Sequence, residues 1–220
     1  MLSPTFKELL GGKIEASSRI DESRLKKLRP LLPAELAVLY EQYGIFTLRE
    51  GRLQLCDPFE FAGILALIFK SDVQFIHENC YVFAYTAFGV LYCWSDQLAL
   101  IIVDLISGHI TSRGALGKIK KGANIANQIY VPFSLSDQAL DLAGDDNKPL
   151  FLQSIKQLGL LEIGECYGFV PALALGGAQR LENLKRVRAA EHFSIVAQTL
   201  KFQLVDIQGY GEATVLRPVG

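Results

Sequence analysis

Apolar positions in the first 70 residues repeat at helical spacing in two segments. In the first, Leu36, Leu39 and Tyr40 fall on one face of a helix. Pro33 before this segment and Gly44 after it are residue types that helices favour just inside their start and just past their end. The pattern therefore predicts a helix between these two residues.

The second helical segment begins with a recognisable cap. Asp57 is an acidic N-cap residue, and Pro58 occupies the first helical position. Glu60 lies three residues after the cap, as in a capping box. We therefore predict a helix that begins at Asp57 and continues to about Phe69.

Alternating, aromatic and β-branched runs predict strands, first in a short hairpin around Glu50 and Gly51 and then consecutively from Tyr81. The predicted strands cover residues 46–48, 53–55, 81–85, 90–94, 98–104 and 110–113. Because short turns separate the last four, we expect one antiparallel sheet with both helices packed against it.

The periodicity is lost in residues 114–122, which are rich in glycine and lysine. We interpret residues 114–135 as a connecting segment between a first domain, residues 1–113, and a second domain, residues 136–220. The predicted class is α+β, with helices packed on an antiparallel sheet. The two modules either remain separate or pack as one unit.

The second half predicts shorter elements. Predicted helices cover residues 136–143, 149–158 and 189–200, and predicted strands cover residues 166–175 and 184–187. An apolar run at residues 202–207 and a Gly-Tyr-Gly sequence at residues 209–211 complete the pattern.

Composition narrows the class of protein. Half of the 220 residues are apolar, which is enough for a substantial core, and the formal net charge is -1. A strong basic excess, which many nucleic-acid-binding proteins show, is missing. No apolar run reaches the roughly 18 residues of a membrane span, and the first residues do not resemble a signal peptide. We therefore expect a cytoplasmic protein without a membrane partner.

Candidate chemistry is sparse. The three histidines, His77, His109 and His192, lack metal-site spacing, and Glu191-His192 is more simply interpreted as part of a packed helix than as an acid-base pair. The four cysteines are widely spaced in apolar sequence, so we expect reduced, buried thiols. The sequence predicts no cofactor, no metal and no enzymatic activity.

Two other clusters have simple structural interpretations. The basic residues of segment 113–121 are interpreted as a solvated linker, and the aromatic residues between Tyr81 and Trp94 as core and cross-strand pairs.

Two groups of residues resemble known domains. Residues 32–44, 57–60 and 85–94, with Tyr43-Gly44, Asp57-Pro58 and Trp94, resemble the GAD-like domain. A later group resembles the C-terminal domain that accompanies it in immunity proteins of type VI secretion DNase effectors. That group consists of Tyr167-Gly168-Phe169, Pro171, Gly176-Gly177 and Glu191-His192-Phe193.

The resemblance implies an antitoxin: a cytoplasmic protein that binds a cognate secreted nuclease and neutralises it by occlusion. Such a protein needs a stable fold and a complementary surface, and it needs no catalytic residues or direct nucleic-acid contact. Two alternatives stay open. One is a nucleic-acid-associated or regulatory module, because GAD-type domains also occur in translation-related enzymes; the other is an enzyme that uses His192 and Glu191.

A nuclease presents a positively charged groove to phosphate, so its inhibitor should offer carboxylates on a folded surface. We therefore predict a partner-binding surface formed by five residues, with residues 114–128 as the alternative location. The five are Asp141, Asp145, Asp146, Glu162 and Glu165.

Overall fold

A computed structural model describes residues 2–11, 14–207 and 213–220. The α-helices are α1 (Pro4–Leu10), α2 (Glu22–Leu28), α3 (Ala34–Tyr43), α4 (Pro58–Phe69), α5 (Val131–Ser134), α6 (Phe151–Leu158) and α7 (Ala189–Thr199). The strands are β1 (Ile14–Ser18), β2 (Ile45–Leu48), β3 (Leu53–Leu55), β4 (Tyr81–Thr86), β5 (Val90–Ser95), β6 (Ala99–Asp104), β7 (His109–Thr111), β8 (Glu165–Phe169), β9 (Leu184–Arg188), β10 (Phe202–Asp206) and β11 (Thr214–Val219). The α+β class is confirmed.

Nine strands form one sheet in the order β1-β2-β3-β4-β5-β6-β7-β10-β11. Neighbouring strands are antiparallel except β7 and β10, which pair in parallel through Gln203 with His109 and Leu204 with Ile110. The last two strands of the chain therefore extend the sheet that the first half begins. Strands β8 and β9 form a separate antiparallel pair.

The centre of the large sheet is buried on both faces. Phe83 and Trp94 pack on one face with residues of α3, including Tyr40. On the other face, Leu91 and Ile101 pack with residues of α4 and α7. Because both faces are covered, strands β4–β6 are almost entirely apolar, and this explains the continuous apolar runs in their sequence. The predicted packing of both helices against this sheet is confirmed.

The helix ends follow from local chemistry. Gly44 ends α3 with a positive φ of 70°, which favours glycine, and its N–H donates to the carbonyl of Tyr40. At the start of α4, the Asp57 carboxylate accepts a hydrogen bond of 3.0 Å from the Phe59 N–H. Both predicted helix boundaries are confirmed.

One predicted element is wrong and another is too long. Residues 136–143 form turns instead of a helix. The Asp141 carboxylate there binds the backbone N–H groups of Leu142 and Phe151, at 2.7 and 2.9 Å, and so favours a turn over a helical ladder. The strand predicted over residues 166–175 ends at Phe169, and Leu173–Leu175 forms a 3-10 helix. Residues 209–211 lie outside the described residues.

The segment predicted to connect two domains packs on the first of them. Within residues 114–135, the 3-10 helix Ile125–Tyr130 leads directly into α5. The ring of Phe6 in α1 lies 5.1 Å from the ring of Tyr130 and 5.0 Å from that of Phe133. This segment therefore contributes to the core of the first half. The boundaries at residues 113 and 136 stay predictions.

Candidate functional site

Asp145 and Asp146 lie on an exposed turn that precedes α6. They line a cavity of about 460 Å³ together with Arg180 and Glu182. Asp145 pairs with Arg180 at 3.1 Å, and Asp146 pairs with Lys148 at 2.9 Å. The Lys148 ammonium lowers the pKa of the Asp146 carboxyl because it donates a hydrogen bond that favours the ionised carboxylate. The lining has three carboxylates and one guanidinium, and Lys148 neutralises one of these carboxylates, so the cavity keeps a small negative charge.

Asp141 belongs to the same turn but serves the fold. Its Oδ1 accepts the N–H groups of Leu142 and Phe151, and the second bond holds the first residue of α6. Helix α6 has no side-chain cap from its own N-cap residue, Leu150. The half-buried Asp141 therefore replaces that cap from ten residues upstream.

Glu162 and Glu165 lie at a different place, at the start of β8. Oε2 of Glu165 accepts hydrogen bonds from Arg186 Nε at 3.0 Å, from Arg186 Nη2 at 2.7 Å and from the Glu162 N–H at 2.9 Å. Only 15% of the Glu165 side chain is exposed, against 75% for Glu162. Glu165 therefore holds the strand pair together, and Glu162, 3.5 Å from Arg186, is exposed at the surface.

A buried amide on the large sheet fixes this second region. The Gln54 side chain donates to the carbonyls of Glu162 and Glu165, at 3.3 and 2.9 Å. Its oxygen accepts the Gly164 N–H at 3.0 Å and the Tyr85 hydroxyl at 2.8 Å. Because Gln54 is only 1% exposed, these bonds form in a medium that excludes water. They lock the start of β8 onto strand β3.

The two halves of the second sequence motif meet in space. A Cβ built on Gly168 of β8 would lie 2.7 Å from Nε2 of His192 in α7, so glycine is required for this approach. Next to it, Phe193 packs edge-to-face on Tyr85, with ring centres 5.6 Å apart. Burial lowers the pKa of His192, which favours its neutral form. These motif residues join α7 to β8 and the large sheet.

A surface that the sequence analysis missed follows β8. Val170 and Leu175, 41% and 58% exposed, flank the loop that carries the Pro and Gly-Gly elements of the motif. Pro171 and Ala174 are also exposed, whereas Ala172 is buried. We name residues 170–177 the apolar loop. An apolar run in sequence is a signal of burial, so no pattern distinguished these exposed positions from core.

The cysteine and aromatic side chains have structural roles. All four cysteines are free and buried, as predicted, and burial raises the pKa of Cys80 to about 12. The aromatic residues Phe83, Tyr85 and Trp94 are core, also as predicted. No group of three or more His, Cys, Asp or Glu side chains that could hold a metal ion occurs in residues 2–11, 14–207 and 213–220.

The predicted basic cluster is exposed at Arg113, Lys120 and Lys121, while Lys118 bonds the Asp206 carboxylate at 2.6 Å. Among the helices that the structure describes, none is long and apolar enough to cross a membrane.

Comparisons with known proteins agree with this architecture. Residues 5–107 match the family model of the GAD-like domain, and residues 131–199 match that of the T6SS immunity protein Tdi1, C-terminal. No curated protein sequence matches the chain.

A crystal structure of Atu4351 from Agrobacterium tumefaciens superposes with a TM-score of 0.89 and 22% sequence identity, covering 99% of this chain and 97% of that one. At that identity the likeness shows a shared fold. The two family matches give the domain order: the chain carries a GAD-like domain followed by a Tdi1 C-terminal domain, the architecture of a type VI secretion immunity protein.

Proposed function

We propose that this protein binds a cognate type VI secretion nuclease in the cytoplasm and neutralises it by occlusion, without catalysis. The observation that carries the proposal is the match of residues 131–199 to the immunity domain. Every residue that lines the negatively charged cavity lies within this range. An enzyme that cleaves nucleic acid needs positive charge around its phosphate-binding groove. The carboxylates around this cavity are complementary in charge to that groove.

The acidic turn is the strongest part of the predicted surface. Asp145 and Asp146 keep 45% and 56% of their side chains exposed, and Glu182 keeps 68%. Their cationic neighbours Arg180 and Lys148 are also exposed, so both pairs can exchange partners at little cost. A basic partner can therefore replace the intramolecular cations.

The first experiment tests the function itself. The protein is co-expressed with the toxin encoded next to its gene, and complex formation, nuclease activity and cell survival are measured. We expect a stable complex, loss of DNA cleavage and protected cells. A complex that leaves nuclease activity unchanged would overturn occlusion, and lack of any complex would overturn the proposal.

The second experiment tests the acidic turn. Asp145→Lys with Asp146→Lys should slow association with the toxin by about tenfold or more, with a strong dependence on salt, because electrostatic complementarity acts on the association rate. Glu8→Lys with Glu78→Lys makes the same change in net charge at exposed carboxylates of the first half and serves as the control. Equal association rates for the two double variants would exclude the acidic turn.

A third experiment tests the alternative function, a nucleic-acid-associated module. The purified protein is titrated with duplex DNA and with RNA at several salt concentrations. We expect no salt-sensitive binding. Tight, salt-sensitive binding of free nucleic acid would favour a nucleic-acid-associated module instead.

A further inference from the structure

We propose that the apolar loop, residues 170–177, is the hydrophobic anchor of the toxin interface and inserts into an apolar recess beside the toxin's basic groove. The inference rests on the proposed function and extends it, since it assigns to this loop a role that charge alone does not provide. Within the loop, some side chains pack into the core and others are exposed.

Two residues fasten the loop. Ala172 packs in the core that α4 and α7 cover, and Leu173 packs against the cluster around Phe151 and Tyr167. Val170, before these two residues, and Ala174 and Leu175, after them, are exposed. The fold therefore uses the inward side chains of the loop and leaves an apolar outward surface without an intramolecular partner among the core clusters of the described residues.

The loop backbone is held in one conformation. The N–H groups of Leu175 and Gly177 both donate to the carbonyl of Ala172, at 2.8 and 3.1 Å. The Val170 N–H donates to the carbonyl of Asn183 at 2.8 Å. At Gly177 an added Cβ would lie 2.1 Å from the carbonyl oxygen of Pro171, so the loop closes tightly on itself. A loop already ordered in the free protein loses little conformational entropy when it binds.

The chain leads from the apolar loop directly to residues that hold the acidic turn. Directly after the loop, the Gln179 carbonyl accepts the Asp145 N–H at 2.9 Å, and the Gln179 side chain donates to the Ala143 carbonyl at 2.5 Å. Arg180 pairs with Asp145 at 3.1 Å. Apolar anchors are thus fixed beside carboxylates, an arrangement that combines the desolvated centre and polar rim of protein interfaces.

This neighbourhood favours the toxin over a second copy of the chain. In a symmetric dimer the same patch faces itself, and Asp145, Asp146 and Glu182 would then face their own copies. Like charges brought together in this way oppose association. A partner with a basic groove satisfies both the carboxylates and the apolar side chains.

The test is kinetic and uses the full-length protein with a catalytically inactivated form of the toxin encoded beside its gene. We expect Val170→Ser with Leu175→Ser to weaken binding about 10- to 100-fold, mainly through faster dissociation, because truncation of desolvated anchors acts on the dissociation rate. Val73→Ser with Leu216→Ser removes the same two side-chain types from exposed positions elsewhere, 92% and 49% exposed, and should bind as wild type.

A second variant guards against a folding defect. Ala174→Lys places a positive charge at an exposed position of the 3-10 helix, where both the basic groove and the apolar recess of the toxin oppose it. The thermal unfolding midpoint should therefore stay unchanged while binding weakens by a similar factor. If wild type binds the toxin and both loop variants dissociate at the wild-type rate, the loop is not the anchor, although the proposed function stands. If wild type does not bind, the proposed function itself fails. If free wild type dimerises and the loop variants are monomers, the loop joins two copies, which overturns the proposal.

Discussion

Strands β4–β6 and the strand pair β8–β9 are both antiparallel, yet apolar side chains cover them to different extents. The former are buried on two faces by apolar side chains from α3, α4 and α7. In the small pair, β8 packs in an apolar cluster with Phe151. In β9, by contrast, only Leu184 is buried, and Glu165, Arg186 and Gln54 add polar contacts around the pair. Non-directional apolar burial gives the large sheet its stability, whereas directional bonds fix the shape of the surface around the small one.

This difference separates stability from recognition. A substitution in the large sheet should act on folding, and one on the turns and loops around β8–β9 should act on the partner. We expect substitutions in the two regions to differ in this way, from the largest effect to the smallest.

The largest effect is expected inside the large sheet. Phe83→Ala removes a fully buried ring from β4 and should lower the free energy of unfolding by about 3–5 kcal/mol. Leu152→Ala, at a position 61% exposed on α6, is the comparison and should change it by less than about 0.5 kcal/mol. Urea denaturation measures both. Similar losses in the two variants would contradict the division.

The contact between Gly168 and His192 should give the next effect. Gly168→Ala forces a methyl group against the imidazole ring and should cost about 1–3 kcal/mol of unfolding free energy. Adding His192→Ala removes the ring, so the double variant should recover part of this loss. Denaturation of the two single variants and the double variant forms a double-mutant cycle. Strict additivity would show that the two residues do not interact.

The two helix caps allow the halves to be compared directly. Asp57→Ala and Asp141→Ala should each lower the free energy of unfolding by about 0.5–2 kcal/mol, because each leaves backbone donors without a partner. Asp57 also pairs with Arg24 and should lie at the upper end. Neither variant should weaken toxin binding, measured by calorimetry. A binding defect of Asp141→Ala at unchanged stability would return this residue to the interface.

The smallest effect is a pH dependence from His192. Its pKa is lowered by burial, so below the ordinary value of about 6.5 the unfolded chain binds a proton that the folded chain does not. The contribution of the neutral ring is therefore fully present above that pH and is lost as the pH falls. Between pH 7 and 5, wild type should lose more stability than His192→Gln. Parallel curves for the two proteins would contradict this assignment.

Part of the candidate site could be predicted from sequence. Asp145 and Asp146 lie exposed beside a cavity, as a polar turn suggests. Asp141 and Glu165 look the same in sequence, but the fold uses their carboxylates to bind Phe151 and Arg186, which are 10 and 21 residues further along the chain. These separations match neither the helical nor the strand period. The sequence pattern therefore could not distinguish carboxylates that bind within the fold from carboxylates that are free to bind a partner.

The sequence by itself determined the elements whose signals are local: α3 and α4 with their end residues, the four strands β4–β7 and the burial of the cysteines. Only the tertiary structure decided that β10 joins β7, that Gly168 meets His192 and that Val170 and Leu175 face outward. Helical and strand periods report which neighbours along the chain share a face. Which distant segment covers that face depends on packing of the whole molecule, and a face that nothing covers has the same sequence as one that is buried.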